Sequence, residues 1–126
     1  MIKDCTMLEA LHCKDSDSVV DVAKRLREHL IRYIYVTDAN QKPVGVISIT
    51  DVNNRVVAEG KNPTALQAKD IMTKPIQTFE ETMDEKQAYE QCVKGNVATC
   101  PVTKQGKLVG MITIHELLRS ITHVRK

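Results

Sequence analysis

Much of what a catalytic or membrane-bound chain needs is missing from this sequence. No apolar run is long enough to span a bilayer, and Lys3 and Asp4 interrupt the start. Neither a transmembrane segment nor a signal peptide is therefore expected, and the chain is read as cytoplasmic with no membrane partner. None of the four cysteines, Cys5, Cys13, Cys92 and Cys100, belongs to a Cys-x-x-Cys pair. They read as small buried apolar residues, with His12-Cys13 near Cys5 as a weak metal alternative. No nucleophile stands with its base, and neither H-E-x-x-H nor a glycine-rich phosphate loop occurs, which argues against an enzyme. Charge is nearly balanced: residues 1–63 carry 9 basic and 9 acidic side chains, residues 64–126 carry 9 and 7. That leaves no basic patch for nucleic acid. The basic tail, Arg119, His123, Arg125 and Lys126, reads as cations favoured at a helix C-terminus. Aromatics are scarce as well: Tyr33, Tyr35, Phe79 and Tyr89.

What is present is a repeat. Pro43-Val44-Gly45-Val46-Ile47-Ser48-Ile49-Thr50-Asp51 returns 65 residues later as Leu108-Val109-Gly110-Met111-Ile112-Thr113-Ile114-His115-Glu116. A glycine, a hydroxyl and an acid recur at fixed spacing inside one apolar frame, so the chain reads as two copies of one unit. Apolar residues from Val44 to Ile47 suit a buried strand, and Gly45 suits a kink or a close backbone approach. Ser48-x-x-Asp51 and Thr113-x-x-Glu116 both fit a capping box that opens a helix. The same atoms have a second reading. A helix start attracts phosphate, and a carboxylate there can accept from both hydroxyls of a ribose while the Ser or Thr hydroxyl donates to phosphate. Capping alone does not explain why the glycine and the strand pattern recur with the box.

Taken in order, each copy reads as strand, helix, strand, strand, helix. In the first copy residues 10–13 are a strand candidate, matched by 76–79 in the second. Ser18 caps the first long helix, whose buried face is Val19, Val22, Ala23, Leu26 and Leu30. Residues 33–37 form a strand, and the polar turn 38–42 leads to the repeated strand. The helix after Asp51 stops near Gly60. Residues 61–64 are the one linker-like stretch, and residues 65–72 read as a turn of helix. The second long helix starts at Thr82 or Asp84 and turns Ala88, Cys92 and Val93 inward. Residues 97–102 repeat 31–36 at an offset of 66, and the last helix runs from Glu116 to about Val124. The expected fold is mixed α/β of the α+β type: two β-α-β-β-α units, 1–63 and 64–126, packed sheet to sheet about a pseudo-twofold axis. Each unit, at about 60 residues, is small for independent stability.

In this pattern the chain resembles a tandem pair of CBS domains, the family named after cystathionine β-synthase. Asp4-Cys5-Thr6-Met7 and Asp70-Ile71-Met72-Thr73 resemble its D-I-M-T opening segment, with Ser18 and Asp84 following 14 residues on. Ile34-Tyr35-Val36 and Cys100-Pro101-Val102 resemble its apolar-Pro-Val strand. Gly45-x-x-Ser48-x-x-Asp51 and Gly110-x-x-Thr113-x-x-Glu116 resemble its G-x-x-[ST]-x-x-[DN] ligand motif. The resemblance covers essentially the whole chain.

It implies a regulatory module for an adenosine-bearing ligand, AMP, ADP, ATP or S-adenosylmethionine, acting as a homodimer on an unknown partner protein and holding no cofactor or metal. It implies two clefts, each combining the hydroxyl–acid motif of one unit with the opening segment and middle strand of the other. One holds Ser48, Thr50 and Asp51 with Met72, Ile76 and Gln77, and with Val97, Ala98, Thr99 and Pro101. The other holds Thr113, His115 and Glu116 with Thr6, Ala10 and Leu11, and with Arg32, Tyr33 and Tyr35. With so few aromatics, adenine is expected to meet mostly aliphatic side chains and backbone. The chain departs from the pattern at Glu116, one methylene longer than the usual Asp, and at Tyr35 in place of proline. His115 is read as a solvent-facing first-turn residue or a phosphate contact, Arg32 as a phosphate contact or a surface charge. The Asp51 cleft is expected to bind more tightly. The competing reading is a constitutive dimerisation or adaptor domain with vestigial clefts.

Overall fold

In the computed structural model residues 1–122 are described, so the tail from His123 and the expected helix end at Val124 lie outside the described residues. The class is mixed α/β, with two three-stranded sheets and five α-helices among the described residues. The chain forms two compact bodies, and they do not divide at the linker-like stretch. One is an insert body, residues 11–76. The other is a terminal body, residues 1–10 together with the chain from Gln77 on.

The insert body contains β1 (His12–Lys14), α1 (Val19–Glu28), β2 (Tyr33–Thr37), β3 (Pro43–Ser48), α2 (Ile49–Val52) and α3 (Ala68–Ile71). Strand β1 runs parallel to β2, and β2 pairs antiparallel with β3. Ser18 Oγ accepts from Asp21 N at 3.1 Å, so α1 starts as its sequence indicates. It ends at Glu28, two residues before Leu30. Leu30 has φ 54 and is 91% exposed, so the predicted buried face stops at Leu26. Helix α2 continues through a π turn, Asn53–Val57, and Gly60 ends it with φ +65. Val19, Val22, Leu26, Ile34, Val36, Ile47, Val56 and Ile71 close the core between sheet and helices.

The terminal body repeats the plan with β4 (Phe79–Glu80), α4 (Glu85–Gly95), β5 (Thr99–Lys104), β6 (Lys107–Thr113) and α5 (Ile114–Thr122). Asp84 is the cap of α4, accepting from Gln87 N at 3.1 Å, which decides between the two predicted starts. Asn96 takes the left-handed C-cap conformation, and Val93 lies 56% exposed rather than inward. Ile2, Phe79, Ala88, Cys92, Cys100, Val102, Ile112 and Leu117 form this core. Burial pushes the thiols of Cys13 and Cys100 up to about 12, which fits their packing role. Matching threonines are buried in both sheets. Thr37 Oγ1 donates to Cys13 O at 3.2 Å and Thr103 Oγ1 to the Glu80 carboxylate, with Phe79 O at 3.5 Å, so neither hydroxyl is left unpaired.

The terminal body is discontinuous because each opening segment completes the sheet of the other copy. Strands β3 and β6 are sheet edges, whose outward backbone groups need partners. Thr73 pairs with Val46 (Thr73 N to Val46 O 2.8 Å, Val46 N to Thr73 O 3.1 Å). Leu8 pairs with Met111 (2.8 and 2.9 Å). The preceding turns bind loops of the same bodies: Ala68 N donates to Asp17 O at 2.8 Å and Ile2 N to Met83 O at 2.8 Å.

Candidate functional site

The repeated motif folds into a corner in each body, where a strand turns into a helix and an opening segment crosses it. Glycine makes the crossing possible. A Cβ on Gly45 would lie 2.6 Å from Met72 Sδ and 3.0 Å from Thr73 O. A Cβ on Gly110 would lie 3.1 Å from Leu8 O. The glycines therefore serve the close backbone approach anticipated for Gly45.

In the insert body the capping box closes both ways. Ser48 Oγ accepts from Asp51 N at 3.0 Å, and Ser48 N donates to Asp51 Oδ2 at 2.9 Å. The other carboxylate oxygen, Oδ1, accepts from Thr73 Oγ1 at 3.1 Å. Arg55, one turn on, lies 3.8 Å from Oδ1, but its guanidinium donates to Ile71 O and Met72 O at 3.0 and 2.9 Å. It thus ties the opening segment down. The Asp51 side chain is 14% exposed.

The Glu116 corner of the terminal body differs. Thr113 Oγ1 accepts from Glu116 N at 3.1 Å, so the hydroxyl half of the box is kept. The carboxylate accepts Thr6 N at 2.9 Å and takes a two-pronged bond from Arg119, 2.8 Å from Nε and 2.7 Å from Nη2. Glu116 in turn raises the guanidinium's pKa further above its ordinary value. The crossing segment is also out of register with its partner copy. Asp4 and Asp70 match as the acids of equivalent turns, but the strand-bridging residues are Leu8 and Thr73. Leu8 follows Asp4 by four positions and Thr73 follows Asp70 by three. The matched opening motifs of the sequence place Met7, not Leu8, opposite Thr73. A leucine thus stands where the insert body has the Thr73 hydroxyl.

The other residues of the sequence reading fall between the two bodies by membership. The insert body holds Leu11, Arg32, Tyr33, Tyr35, Thr50, Met72 and Ile76 beside Ser48 and Asp51; the terminal body holds Ala10, Gln77, Val97, Ala98, Thr99, Pro101 and His115 beside Thr6, Thr113 and Glu116. Arg32 and Ala98 are exposed, and their carbonyls accept from the first amides of α2 and α5 (Ile49 N at 2.9 Å, Ile114 N at 2.8 Å). Tyr35 is buried and meets Tyr33 edge to face at 5.6 Å. Thr50 and His115 are exposed on the first helical turns, Pro101 is buried, and Gln77 Nε2 donates to Gln91 Oε1 at 3.3 Å. Thr73, Arg55 and Arg119 were missed as site residues. The signal for the arginines was available: each follows its acid by four or three positions on a helix, the spacing of an ion pair. Thr73 was visible in the opening motif but not as a partner of Asp51.

A separate concavity of about 470 Å³ lies between α1 and the π turn, with an apolar floor including Val19, Val20, Ala23, Val52 and Val56, and with Lys24, Arg27 and Lys61 at its rim. Among the described residues no three His, Cys, Asp or Glu side chains group as a metal site, and no helix is long and apolar enough to cross a membrane.

The chain is 32% identical over 105 residues to an uncharacterized protein of Methanopyrus kandleri, MK0525, covering 82% of this chain and 54% of that protein. It is 23% identical over 117 residues to the mitochondrial CBS domain-containing protein CBSX3 of Arabidopsis thaliana, covering 90% of this chain and 57% of that one. It thus spans little more than half the length of either relative. Among solved structures, Staphylococcus aureus OpuCA superposes with a TM-score of 0.74 at 24% identity, covering 91% of this chain and 94% of that one. The CBS domain profile matches twice, at residues 2–58 and 68–123, and the chain belongs to the CBS domain family as a tandem pair.

Proposed function

We propose that this CBS pair is a regulatory module that binds an adenosine-bearing ligand, AMP, ADP, ATP or S-adenosylmethionine, and passes its occupancy to a partner protein. The observation that carries the reading is the Asp51 corner. Ser48 Oγ, Thr73 Oγ1 and the Asp51 carboxylate converge where β3 turns into α2. A carboxylate offers about four acceptor positions, and the bonds from Ser48 N and Thr73 Oγ1 leave capacity for a ribose diol. The hydroxyls can turn toward a phosphate. The resemblance adds Met72 and Ile76 of the same body as contacts for adenine.

The test is thermal. A ligand that binds only the folded chain adds about 2.7 kcal/mol at a hundredfold excess over Kd. Saturating AMP, ADP, ATP or S-adenosylmethionine should therefore raise the melting temperature by several degrees. An unmoved melting curve with all four favours the second reading, a constitutive dimerisation domain. That reading has its own support in the 470 Å³ apolar concavity and in Ile49 and Val57, which are 54% and 66% exposed. A homodimer through this helical face belongs to both readings, and sedimentation giving a monomer at high concentration removes it from both.

A further inference from the structure

We infer that Arg119 closes the Glu116 corner, so that each chain offers a single open nucleoside site, at Asp51. The inference rests on the nucleotide reading above and deepens it. A ribose diol needs two acceptor positions on one carboxylate. At Glu116 at least three positions are taken, one by Thr6 N and two by the Arg119 fork. A planar guanidinium matched to both carboxylate oxygens is the strongest common arrangement of these groups. A neutral diol must expel it and gains no charge in return.

The insert body avoids this closure by three differences. Arg55 follows Asp51 by four residues rather than three, and it spends its donors on the carbonyls of Ile71 and Met72. Asp51 is one methylene shorter and stays on its own cap. The opening segment presents the Thr73 hydroxyl, a neutral donor that can rotate away, where the terminal body presents Leu8. The extra methylene of Glu116 carries its carboxylate out to Thr6 N instead.

The experiment is calorimetric titration of the full chain with AMP and, separately, with ATP. Four proteins are compared: wild type, Arg119→Ala, Asp51→Asn and the double variant. Arg119 is 51% exposed, so its removal is compatible with folding, and Arg119→Gln serves in its place if the alanine variant melts early. The expected result is one nucleotide per wild-type chain, one bound roughly ten- to a hundredfold more weakly for Asp51→Asn, two for Arg119→Ala and, for the double variant, one at Glu116 beside that weakened one. A wild type that binds two overturns the inference and leaves the nucleotide reading standing. So does an Arg119→Ala chain that still binds one and a double variant that binds only the weakened one. If no variant binds either probe, the nucleotide reading falls and the inference falls with it.

Discussion

Asp51 and Glu116 stand at matching positions, each three residues past a hydroxyl that caps a short turn into helix, yet their carboxylates do different things. Asp51 folds back on its own cap and leaves its second oxygen to a neutral hydroxyl from Thr73. Glu116 reaches across to the Thr6 amide and is gripped by a guanidinium. One added methylene, one shifted arginine and one extra residue in the crossing segment separate a carboxylate met by a neutral hydroxyl from one met by a guanidinium. The cores differ in the same way. Cys13 and Phe79 take equivalent places on the parallel strands, pairing with Val36 and Val102. The terminal body thus fills with a ring what the insert body fills with a thiol. Repeats can keep one backbone while dividing packing and binding between them.

The sharpest way to break this comparison is at those two core positions. Phe79→Ala should cost about 3–5 kcal/mol, because the ring is fully buried. Cys13→Ala should cost about 1 kcal/mol. Urea unfolding of both variants measures the difference, and equal losses would mean the two cores are not the matched pair their registers imply.

Next in size is ligand affinity. Asp51→Asn should weaken AMP or ATP binding by about 1.5–3 kcal/mol, roughly ten- to a hundredfold. Glu116→Gln should leave the affinity of that binding phase unchanged and lower the melting temperature through the lost Arg119 and Thr6 contacts. If calorimetry shows Glu116→Gln removing the binding, the site lies at Glu116 and the assignment of the two corners is reversed.

Alkaline pH tests both cores together. The Cys13 and Cys100 thiols are raised from 9.0 to about 12 by burial, so the unfolded chain loses these protons first. Their contribution is complete below pH 9 and is lost as pH climbs toward about 12. Each such thiol steepens the fall by about 1.4 kcal/mol per pH unit. Denaturation at pH 8, 9 and 10 should show stability level and then falling, and a Cys13→Ala, Cys100→Ala chain should flatten that fall.

The smallest effect sharpens the crossing segments. Thr73→Val removes one hydroxyl from the Asp51 carboxylate and should cost about 0.5–1.5 kcal/mol. Leu8→Val keeps an apolar side chain at the matching, half-exposed position and should cost less. Chemical denaturation compares the two, and a Thr73→Val chain as stable as wild type would remove that hydroxyl from the corner.

The sequence by itself determined what depends on near neighbours. Ser18 and Asp84 cap their helices, residues 33–37 form a strand over the span read from their alternation, and Ser48-x-x-Asp51 closes its box, because each needs only a few residues in a row. The mixed α/β class and the tandem CBS pair were legible for the same reason, as local patterns written twice. Leu30 and Val93 failed because apolar periodicity does not say where a helix stops or which side its neighbours cover. Only the tertiary structure decided that each opening segment belongs to the body of the other copy, since edge-strand hydrogen bonds join Thr73 to Val46 and Leu8 to Met111. It also decided the state of the two acids. Nothing near Glu116 in sequence names Thr6, 110 positions away, as its partner, and a one-residue slip in a crossing segment changes which side chain meets a carboxylate without disturbing any local pattern.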